Sequence, residues 1–392
     1  MSEAEAFRSL AIVLAIAALT PVALGLLPRV RLPEVVVLLA AGMAVGPYGM
    51  DLAHVDTRID FVSQLGLGML FLLAGIEVDP LALRNRDGAR AVRAWCISLV
   101  LGLAWVFLVS LVLEVDARVA VGIAMTSTAF GTLLPMLRDT GIHRHRMGRL
   151  VMANGAVGEF GPILAMSIFL TQGSTWGGLL SLAAFGILAV GLGILLVRHF
   201  PRADRVIGVI QRGADTTAQA PVRLMVLLLA VMLAASASLG LDVILGAFVA
   251  GAIIRMLLPP DHDELITRLD GLGYGFLIPV FFVVSGMAID PAVFVERPGT
   301  VLLVFVSILF IRGGPVYLLF RNLPRRERLQ LGLFSATGLP IIVAVTTVAV
   351  DAGQMGPEGQ SIVVAGGMLT VLALPMAAVM LHRDDHVETR PR

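Results

Sequence analysis

The sequence predicts an all-α membrane protein that crosses the bilayer about thirteen times. Of its 392 residues, 57% are apolar and only 15% are charged, and the mean hydropathy is +0.91. A soluble protein has about 25% charged residues, so this chain cannot cover a water-facing surface. The apolar residues fall into continuous runs of about 20 residues, the length of a membrane-spanning helix.

Charged residues or Pro and Gly clusters bound each predicted span. In chain order the spans cover residues 7–27, 33–48, 60–78, 91–113, 117–137, 147–170, 177–198, 221–239, 241–258, 271–288, 299–320, 328–350 and 360–381. The remaining loops and tails are too short for a second folded domain. We therefore expect a single transmembrane domain over residues 1–392, without a soluble regulatory domain.

Several classes of active site are excluded by residues that the chain lacks. All 29 basic residues are arginines, so a GxxxxGK[ST] nucleotide-binding loop cannot occur. The GxGxxG, HExxH and GxSxG motifs are also missing, and the one cysteine, Cys96, cannot form a disulfide within the chain or a thiolate metal cluster. We expect no ATP-driven step, no enzyme activity, no resident cofactor and no nucleic-acid partner.

The arginines also predict how the chain lies in the membrane. Most of them fall in loops after odd-numbered spans, whereas loops after even-numbered spans hold only Arg58, Arg118 and Arg297. Loops rich in arginine stay in the cytoplasm. The prediction is a multi-pass protein in the lipid bilayer of the cell membrane, with its N-terminus outside and its C-terminus in the cytoplasm.

An internal repeat relates residues 33–170 to residues 241–381. Three pairs of segments match at nearly the same offset, 211 residues for the first pair and 209 for the other two: Phe71–Pro80 with Phe282–Pro291, Ala40–Gly42 with Val249–Gly251, and Thr126–Thr128 with Ser335–Thr337. Seven spans separate the two copies of each segment, so the copies insert with opposite orientation. Inverted-topology repeats are typical of secondary transporters, whose substrate site lies where the repeats meet.

Two charged residues stand inside predicted spans. Glu159 lies about 15 Å from the start of span six, where a carboxylate must be protonated, paired or bound to a cation. Arg312 lies inside span eleven and needs a fixed acceptor, which Glu159 or the carbonyls around Gly313 and Pro315 could provide. The alternatives are an acid that only holds helices together and an arginine that extends to the cytoplasm.

Two spans carry helix-breaking residues at matching positions of the repeat. Span five has Thr126, Ser127 and Thr128 followed by glycine and proline, and span twelve has Thr337 followed by Gly338-Leu339-Pro340. Two discontinuous helices that cross would expose carbonyls and hydroxyls able to coordinate a small cation. These hydroxyls could instead bond only to their own helix.

Two further polar residues are secondary candidates. Glu77 is near the end of span three, where a role in cation entry and a structural role are both open. Asn154 precedes Glu159 by five residues and could bond either an acid or a facing helix.

With these motifs the chain resembles the cation:proton antiporter-2 family of the sodium/proton exchanger superfamily over nearly its whole length. Phe71–Pro80 resembles the family's third-helix ending, Thr126–Ala129 its broken-helix motif and Leu245–Gly251 its ninth-helix signature. The resemblance implies a sodium/proton antiporter-like fold with a core domain and a dimerisation domain. It also implies a homodimer that exchanges Na⁺ or K⁺ for protons by an elevator-like movement of the core.

The resemblance also implies roles for individual residues. Glu159 occupies the place of the family's ion-binding aspartate, and Arg312 the basic position of helix eleven. Thr126, Ser127 and Thr128 match the cation neighbourhood of helix five. Most relatives have Asp, Asn or Gln before the ion-binding acid, whereas this chain has Gly158.

The expected function is therefore exchange of a monovalent cation for protons by alternating access. One buried acid and one permanent positive charge favour one-for-one, electroneutral exchange. Two alternatives remain, namely a sodium-coupled carrier of an organic anion and a membrane sensor that no longer transports. Paired acids or a nucleophile and base, which an intramembrane enzyme would need, are not visible in the sequence.

Overall fold

The computed structural model describes residues 2–26, 32–77, 85–129, 133, 137, 142, 145–169, 175–199, 220–258 and 263–381, and within them every regular element is helical. The α-helices are α1 (Glu3–Leu26), α2 (Glu34–Val45), α3 (Thr57–Glu77), α4 (Arg86–Val109), α5 (Arg118–Ala124), α6 (Arg146–Phe169), α7 (Thr175–His199), α8 (Ala220–Ser238), α9 (Val243–Leu257), α10 (Asp263–Leu272), α11 (Ile278–Met287), α12 (Val293–Glu296), α13 (Pro298–Ile308), α14 (Gly314–Leu319), α15 (Arg325–Ser335), α16 (Leu339–Asp351) and α17 (Pro357–Met380). A π-helical turn, Gly273–Leu277, joins α10 to α11, and another, Leu309–Gly313, joins α13 to α14.

Most of the helices coincide with the predicted spans, whereas α10 begins eight residues before span ten and α12 lies between two spans. Among the described residues, nine helices are long and apolar enough to cross a membrane, where helices joined by a π turn or a short break are taken together. Shorter apolar helices cover α2, α9 and the middle of α7. Span five begins as α5, and most of its second half lies outside the described residues. The prediction of an all-α, multi-span membrane fold is confirmed.

Local sequence signals fix where several helices begin. The Asn85 side chain accepts a 2.8 Å hydrogen bond from the backbone N–H of Gly88 and caps α4. Asp242 caps α9 in the same way through the N–H of Ile244 at 2.8 Å. Pro298 begins α13, where the missing N–H of proline costs no helical hydrogen bond.

The chain divides into two compact units, each made from two separate stretches of sequence. The first comprises Met1–Asp79 and Ile163–Ala288, and the second comprises Pro80–Pro162 and Ile289–Arg392. Both predicted repeats are divided between the units. The first unit takes spans two and three of one repeat with spans nine and ten of the other, and the second takes spans four and five and span six as far as Pro162, with spans eleven to thirteen.

Glycines that match in the repeat allow close packing in the first unit. There α2 packs against α11 and α3 packs against α9. A methyl group added at Gly42 would lie 3.0 Å from the Cα of Gly286, and one added at Gly251 would lie 2.9 Å from the Cα of Gly75. Small residues permit such close approach of backbones inside a membrane. The glycines that mark the repeat in the sequence therefore also hold its helices together.

The second unit contains the elements of the candidate site. An apolar cluster of this unit joins α4, α6, α15 and α17 to the chain around α14. The buried members are Ala94, Leu133, Leu137, Ile142, Met147, Leu150, Val151, Val316, Phe320, Leu323, Leu331, Phe334 and Ala378. The cluster contains residues of α6, α14 and α15, the helices that lead into the site.

Candidate functional site

Two helix breaks meet in the second unit. α5 ends at Ala124, and α15 ends at Ser335 before the chain resumes a helix at Leu339. The Ser127 hydroxyl donates to the Gly338 carbonyl at 3.0 Å, and the Ala129 N–H donates to the Thr337 carbonyl at 2.5 Å. The two broken segments therefore cross at the matching repeat positions, as the sequence predicts. Gly131 and Pro135, also invoked for the first break, lie outside the described residues.

Thr128 connects α6 to the crossing, defined as the contact between residues 127–129 and residues 335–338. Its hydroxyl donates to the Ser335 carbonyl at 2.5 Å, and its backbone N–H donates to the Gly158 carbonyl at 2.9 Å. Residue 162 is a proline and has no N–H, so the usual helical donor to the Gly158 carbonyl is missing. The free carbonyl accepts a bond from the crossing instead.

Arg312 lies in the π-helical turn Leu309–Gly313 and is fully buried. Its Nε donates to the Thr128 hydroxyl at 2.9 Å, and its Nη2 donates to the Asn154 carbonyl at 2.8 Å. Extension of this arginine to the cytoplasm is thereby excluded. The acceptors of these two bonds come from the crossing and from α6, not from the carbonyls around Gly313 and Pro315 that the sequence suggested.

Glu159 follows Gly158 on α6 and is 5% exposed. Among the described residues, Glu159 and Arg312 are the only charged side chains that are buried. No group of three or more His, Cys, Asp and Glu side chains suited to a metal ion occurs in this part of the chain. The oxygen ligands that the arrangement offers to a cation are one carboxylate with nearby hydroxyls and carbonyls, a set suited to an exchangeable ion.

The hydroxyls at the breaks all donate to backbone carbonyls. Thr126 bonds to the Ile123 carbonyl at 2.8 Å, and Thr337 bonds to the Leu333 carbonyl at 3.3 Å. Ser127 bonds both to its own helix, at the Ala124 carbonyl, and across the break to Gly338. Thr126 and Thr337 thus bond only to their own helices, as expected if these hydroxyls do not bind an ion. Ser127 and Thr128, by contrast, bond to carbonyls of the other broken helix. Each hydroxyl oxygen also has lone pairs that can accept, and Thr128 uses one of them for Nε of Arg312.

The two secondary candidates, Asn154 and Glu77, belong to different units. Asn154 is fully buried beside Arg312, its Nδ2 donates to the Leu150 carbonyl at 2.9 Å, and its Oδ1 has no hydrogen-bond partner among the described residues. Glu77 is the last residue of α3 and belongs to the first unit, whereas Glu159 belongs to the second. Of the two, Asn154 is thus in the unit that holds Glu159.

Sequence reasoning missed some contacts that hold the site together. It did not identify the Gly158 and Asn154 carbonyls as acceptors, nor the Ser335 carbonyl as the acceptor for Thr128. A proline four residues after Gly158 is a readable signal of a free carbonyl. No comparable signal exists for Asn154, since its carbonyl meets Arg312 only in the fold.

Several known proteins resemble this chain. The putative Na⁺/H⁺ antiporter YjbQ of Bacillus subtilis is 26% identical over 364 residues, which cover 87% of this chain and 57% of YjbQ. The probable Na⁺/H⁺ antiporter 3 of Methanocaldococcus jannaschii is 23% identical over 90% of this chain and 91% of its own length. The glutathione-regulated potassium-efflux system protein KefC of Escherichia fergusonii is 24% identical over 92% of this chain and 58% of its own length. The chain therefore spans little more than half of YjbQ and KefC.

A solved structure has the same fold. The sodium proton antiporter MjNhaP1 of Methanocaldococcus jannaschii, at pH 8, superposes with a TM-score of 0.62 and 15% identity, over 96% of this chain and 99% of that one. The sequence profile of a family of transmembrane transporters matches residues 14–382. The family resemblance expected from the motifs is thereby confirmed, and the chain belongs to the transmembrane sodium/hydrogen exchanger family.

Proposed function

We propose that the protein exchanges a monovalent cation, Na⁺ or K⁺, for protons by alternating access, with Glu159 as the shared binding group. The observation that carries this proposal is the burial of Glu159 and Arg312, the only buried charged side chains in the described residues, in the unit where two broken helices cross. Family membership supports it. So do the names of the relatives, which include Na⁺/H⁺ antiporters and a potassium-efflux protein.

A buried carboxylate can couple the two ions without an additional gate. When Glu159 is protonated it is neutral and can change sides with its surroundings. When it is deprotonated, its charge is costly to move through the membrane unless a cation is bound. The proton and the cation therefore compete for one group, and the empty charged form moves least.

The crossing supplies the other ligands for a cation. Ser127 and Thr128 bring hydroxyl oxygens, and the breaks after Ala124 and Ser335 leave carbonyls outside regular helices. Oxygen ligands of this kind suit both Na⁺ and K⁺, whose sizes differ. The cation that is preferred is then decided by the size of the space between these groups.

The organic-anion alternative has less support from the described residues. An anion site would need several free donors, but Arg312 is the only buried base there. Two of its nitrogens donate to Thr128 and Asn154, and only Nη1 is left without a hydrogen-bond partner among the described residues. A transport-silent sensor would require that Glu159 no longer exchanges its proton. Both alternatives predict that no cation changes the proton flux of the wild type.

The experiment uses the purified protein in liposomes that contain a pH-sensitive dye. An imposed proton gradient is challenged with Na⁺, K⁺ or Li⁺, for the wild type and for Glu159→Gln, which keeps the size of the side chain but removes its charge. We expect cation-dependent proton flux in the wild type and no flux above empty liposomes in Glu159→Gln.

The controls separate loss of the site from loss of the fold. Glu358→Gln removes an exposed carboxylate from α17 and should leave the flux unchanged, and Glu77→Gln tests the secondary candidate. Size-exclusion profiles must show each variant folded. Unchanged flux in Glu159→Gln would refute the assignment of that residue, and a folded wild type that responds to no cation would refute the exchanger and favour the alternatives.

We also propose a homodimer in the cell membrane with the N-terminus outside and the C-terminus in the cytoplasm. Family resemblance supports the dimer, and the distribution of arginines supports the orientation. In a Cys96→Ser background, a cysteine at position 2 should react with an impermeant maleimide in intact cells, and one at position 392 only after permeabilisation. The reverse pattern would refute the orientation, and a monomer mass in native mass spectrometry would refute the dimer.

A further inference from the structure

Arg312 and Thr128 occupy the space that a side chain at position 158 would fill. A methyl group added at Gly158 would overlap the Thr128 hydroxyl and would lie 2.7 Å from Nη2 of Arg312. Non-bonded heavy atoms settle at about 3.5–4.0 Å. The position next to Glu159 is therefore filled by two side chains that come from other elements.

The same gap exposes two carbonyls of α6 that lie one helical turn apart. The Asn154 carbonyl accepts Nη2 of Arg312, and the Gly158 carbonyl accepts the backbone N–H of Thr128. Because Pro162 has no N–H, the second carbonyl has no competing donor within the helix. The guanidinium of Arg312 and the backbone of Thr128 thus both bind the turn of α6 that immediately precedes Glu159.

We propose that Gly158 is a positioning residue, whose missing side chain forms a notch in α6 that seats the Arg312 guanidinium and the Thr128 side chain beside the ion site. The notch, defined here by Gly158 with the Asn154 and Gly158 carbonyls, keeps Thr128 in place as a cation ligand. The placement of the notch stands on geometry alone. Its effect on cation binding rests on the proposed function.

A cycle of two substitutions tests the geometry. Gly158→Ala places a methyl group against Nη2 of Arg312, and Arg312→Lys removes Nη2 while it keeps the positive charge. Each single variant should lower the melting temperature of the purified protein. In the double variant the second change should cost less than it does alone, since lysine removes the contact with Nη2 and leaves only the overlap with Thr128. Additive effects would overturn the proposal, because they would mean that the two residues do not interact.

Two other glycines serve as controls. At Gly186 in α7 an added methyl group would meet nothing within 4 Å, so Gly186→Ala should keep or raise the melting temperature, as alanine favours helix. At Gly161, also in α6, the three atoms nearest to an added methyl group all belong to the Trp95 ring, which it would overlap. Gly161→Ala should therefore lower stability without a change in cation dependence.

The transport readout separates positioning from packing. Displacement of one hydrogen bond to a charged group should raise the half-saturating cation concentration of Gly158→Ala about tenfold. Wild-type cation dependence in Gly158→Ala, or an equal rise in Gly161→Ala, would overturn the proposal. If Gly158→Ala alone does not fold, Thr128→Gly is added to the double variant so that both overlapping side chains are removed. Recovery of folded protein then supports the notch, and continued failure to fold overturns it.

Failure of the notch and failure of the proposed function give different results. If the wild type shows no cation-dependent proton flux, the exchanger is refuted, while the melting-temperature cycle still tests the notch. If the flux is present and the cycle is additive, the exchanger stands and the notch is refuted.

Discussion

The guanidinium of Arg312 connects three parts of the chain that are distant in sequence. It belongs to the π-helical turn between α13 and α14, and its hydrogen bonds reach Thr128 in the crossing and Asn154 in α6. Arginine keeps its charge in such a place and offers several donors with fixed directions. At the scale of the residue, its role is to hold Thr128 and α6 together next to Glu159.

We expect Arg312→Ala to destabilise the protein strongly. The change leaves buried acceptors at Thr128 and Asn154 without their charged donor, and each such hydrogen bond is worth about 1.5–3 kcal/mol. The free energy of unfolding should therefore fall by about 3 kcal/mol or more, visible as a lower melting temperature in detergent. Arg325→Ala, at an exposed position of α15, provides the comparison. Equal melting temperatures for the two variants would contradict this account.

At the scale of the element, two helix breaks are joined by their backbones. The Ala129 N–H and the Thr337 carbonyl pair across the crossing, and the Ser127 hydroxyl reaches the Gly338 carbonyl. Backbone groups that lose their helical partners inside a membrane must find others. Each break therefore supplies partners to the other, which explains why both occur at matching positions of the repeat.

The contact between Ser127 and Gly338 leads to a prediction about the crossing. A methyl group added at Gly338 would overlap the Ser127 hydroxyl and lie 2.7 Å from the Ser127 carbonyl oxygen. Gly338→Ala should thus force the two segments apart and reduce cation-dependent proton flux at least tenfold, a factor that corresponds to about 1.4 kcal/mol.

Gly356→Ala is the matched control for this change. Gly356 also caps a helix of the second unit, but its added methyl group would make only an ordinary 3.7 Å contact with Asp116. Its flux should equal that of the wild type. Similar flux in the two variants would show that the crossing tolerates a wider separation than the geometry implies.

At the scale of the whole molecule, the two units differ in what they bury. The first unit packs its helices through glycines and apolar side chains, whereas the second contains both buried charged residues of the described chain. With a single carboxylate and a permanent positive charge, the site carries the same net charge with a proton as with a monovalent cation. Under the proposed function, exchange of one for the other would move no net charge.

Electroneutral exchange predicts an absence of current. Movement of one net charge across a membrane potential changes the free energy by about 2.3 kcal/mol per 100 mV, so electrogenic exchange would be easy to detect. On a solid-supported membrane, a jump in Na⁺ or K⁺ concentration should produce proton flux without a sustained current. A sustained current that disappears in Glu159→Gln would contradict one-for-one exchange.

Much of the fold could be predicted from composition and hydropathy. A bilayer demands apolar helices of about 20 residues, so the length of each apolar run reports a span directly. The repeat and the two breaks were also readable, because matched Gly, Ser, Thr and Pro residues recur at nearly the same offset. The π-helical turns were not predicted, since apolar periodicity does not distinguish them from a continuous span. The short helix α12 was not predicted either, because it lies in a predicted loop and its four residues are too few to show a period.

By itself the sequence determined that the chain is a helical membrane protein, that Glu159 and Arg312 lie inside its spans, and that two helices break at equivalent places. Only the tertiary structure decided which groups these residues meet. The acceptors of Arg312 lie at positions 128 and 154, far from it in the chain, and the notch at Gly158 exists only when all three segments pack together. Local patterns record the preferences of a segment for helix and for lipid, whereas a contact between distant segments depends on how those segments pack.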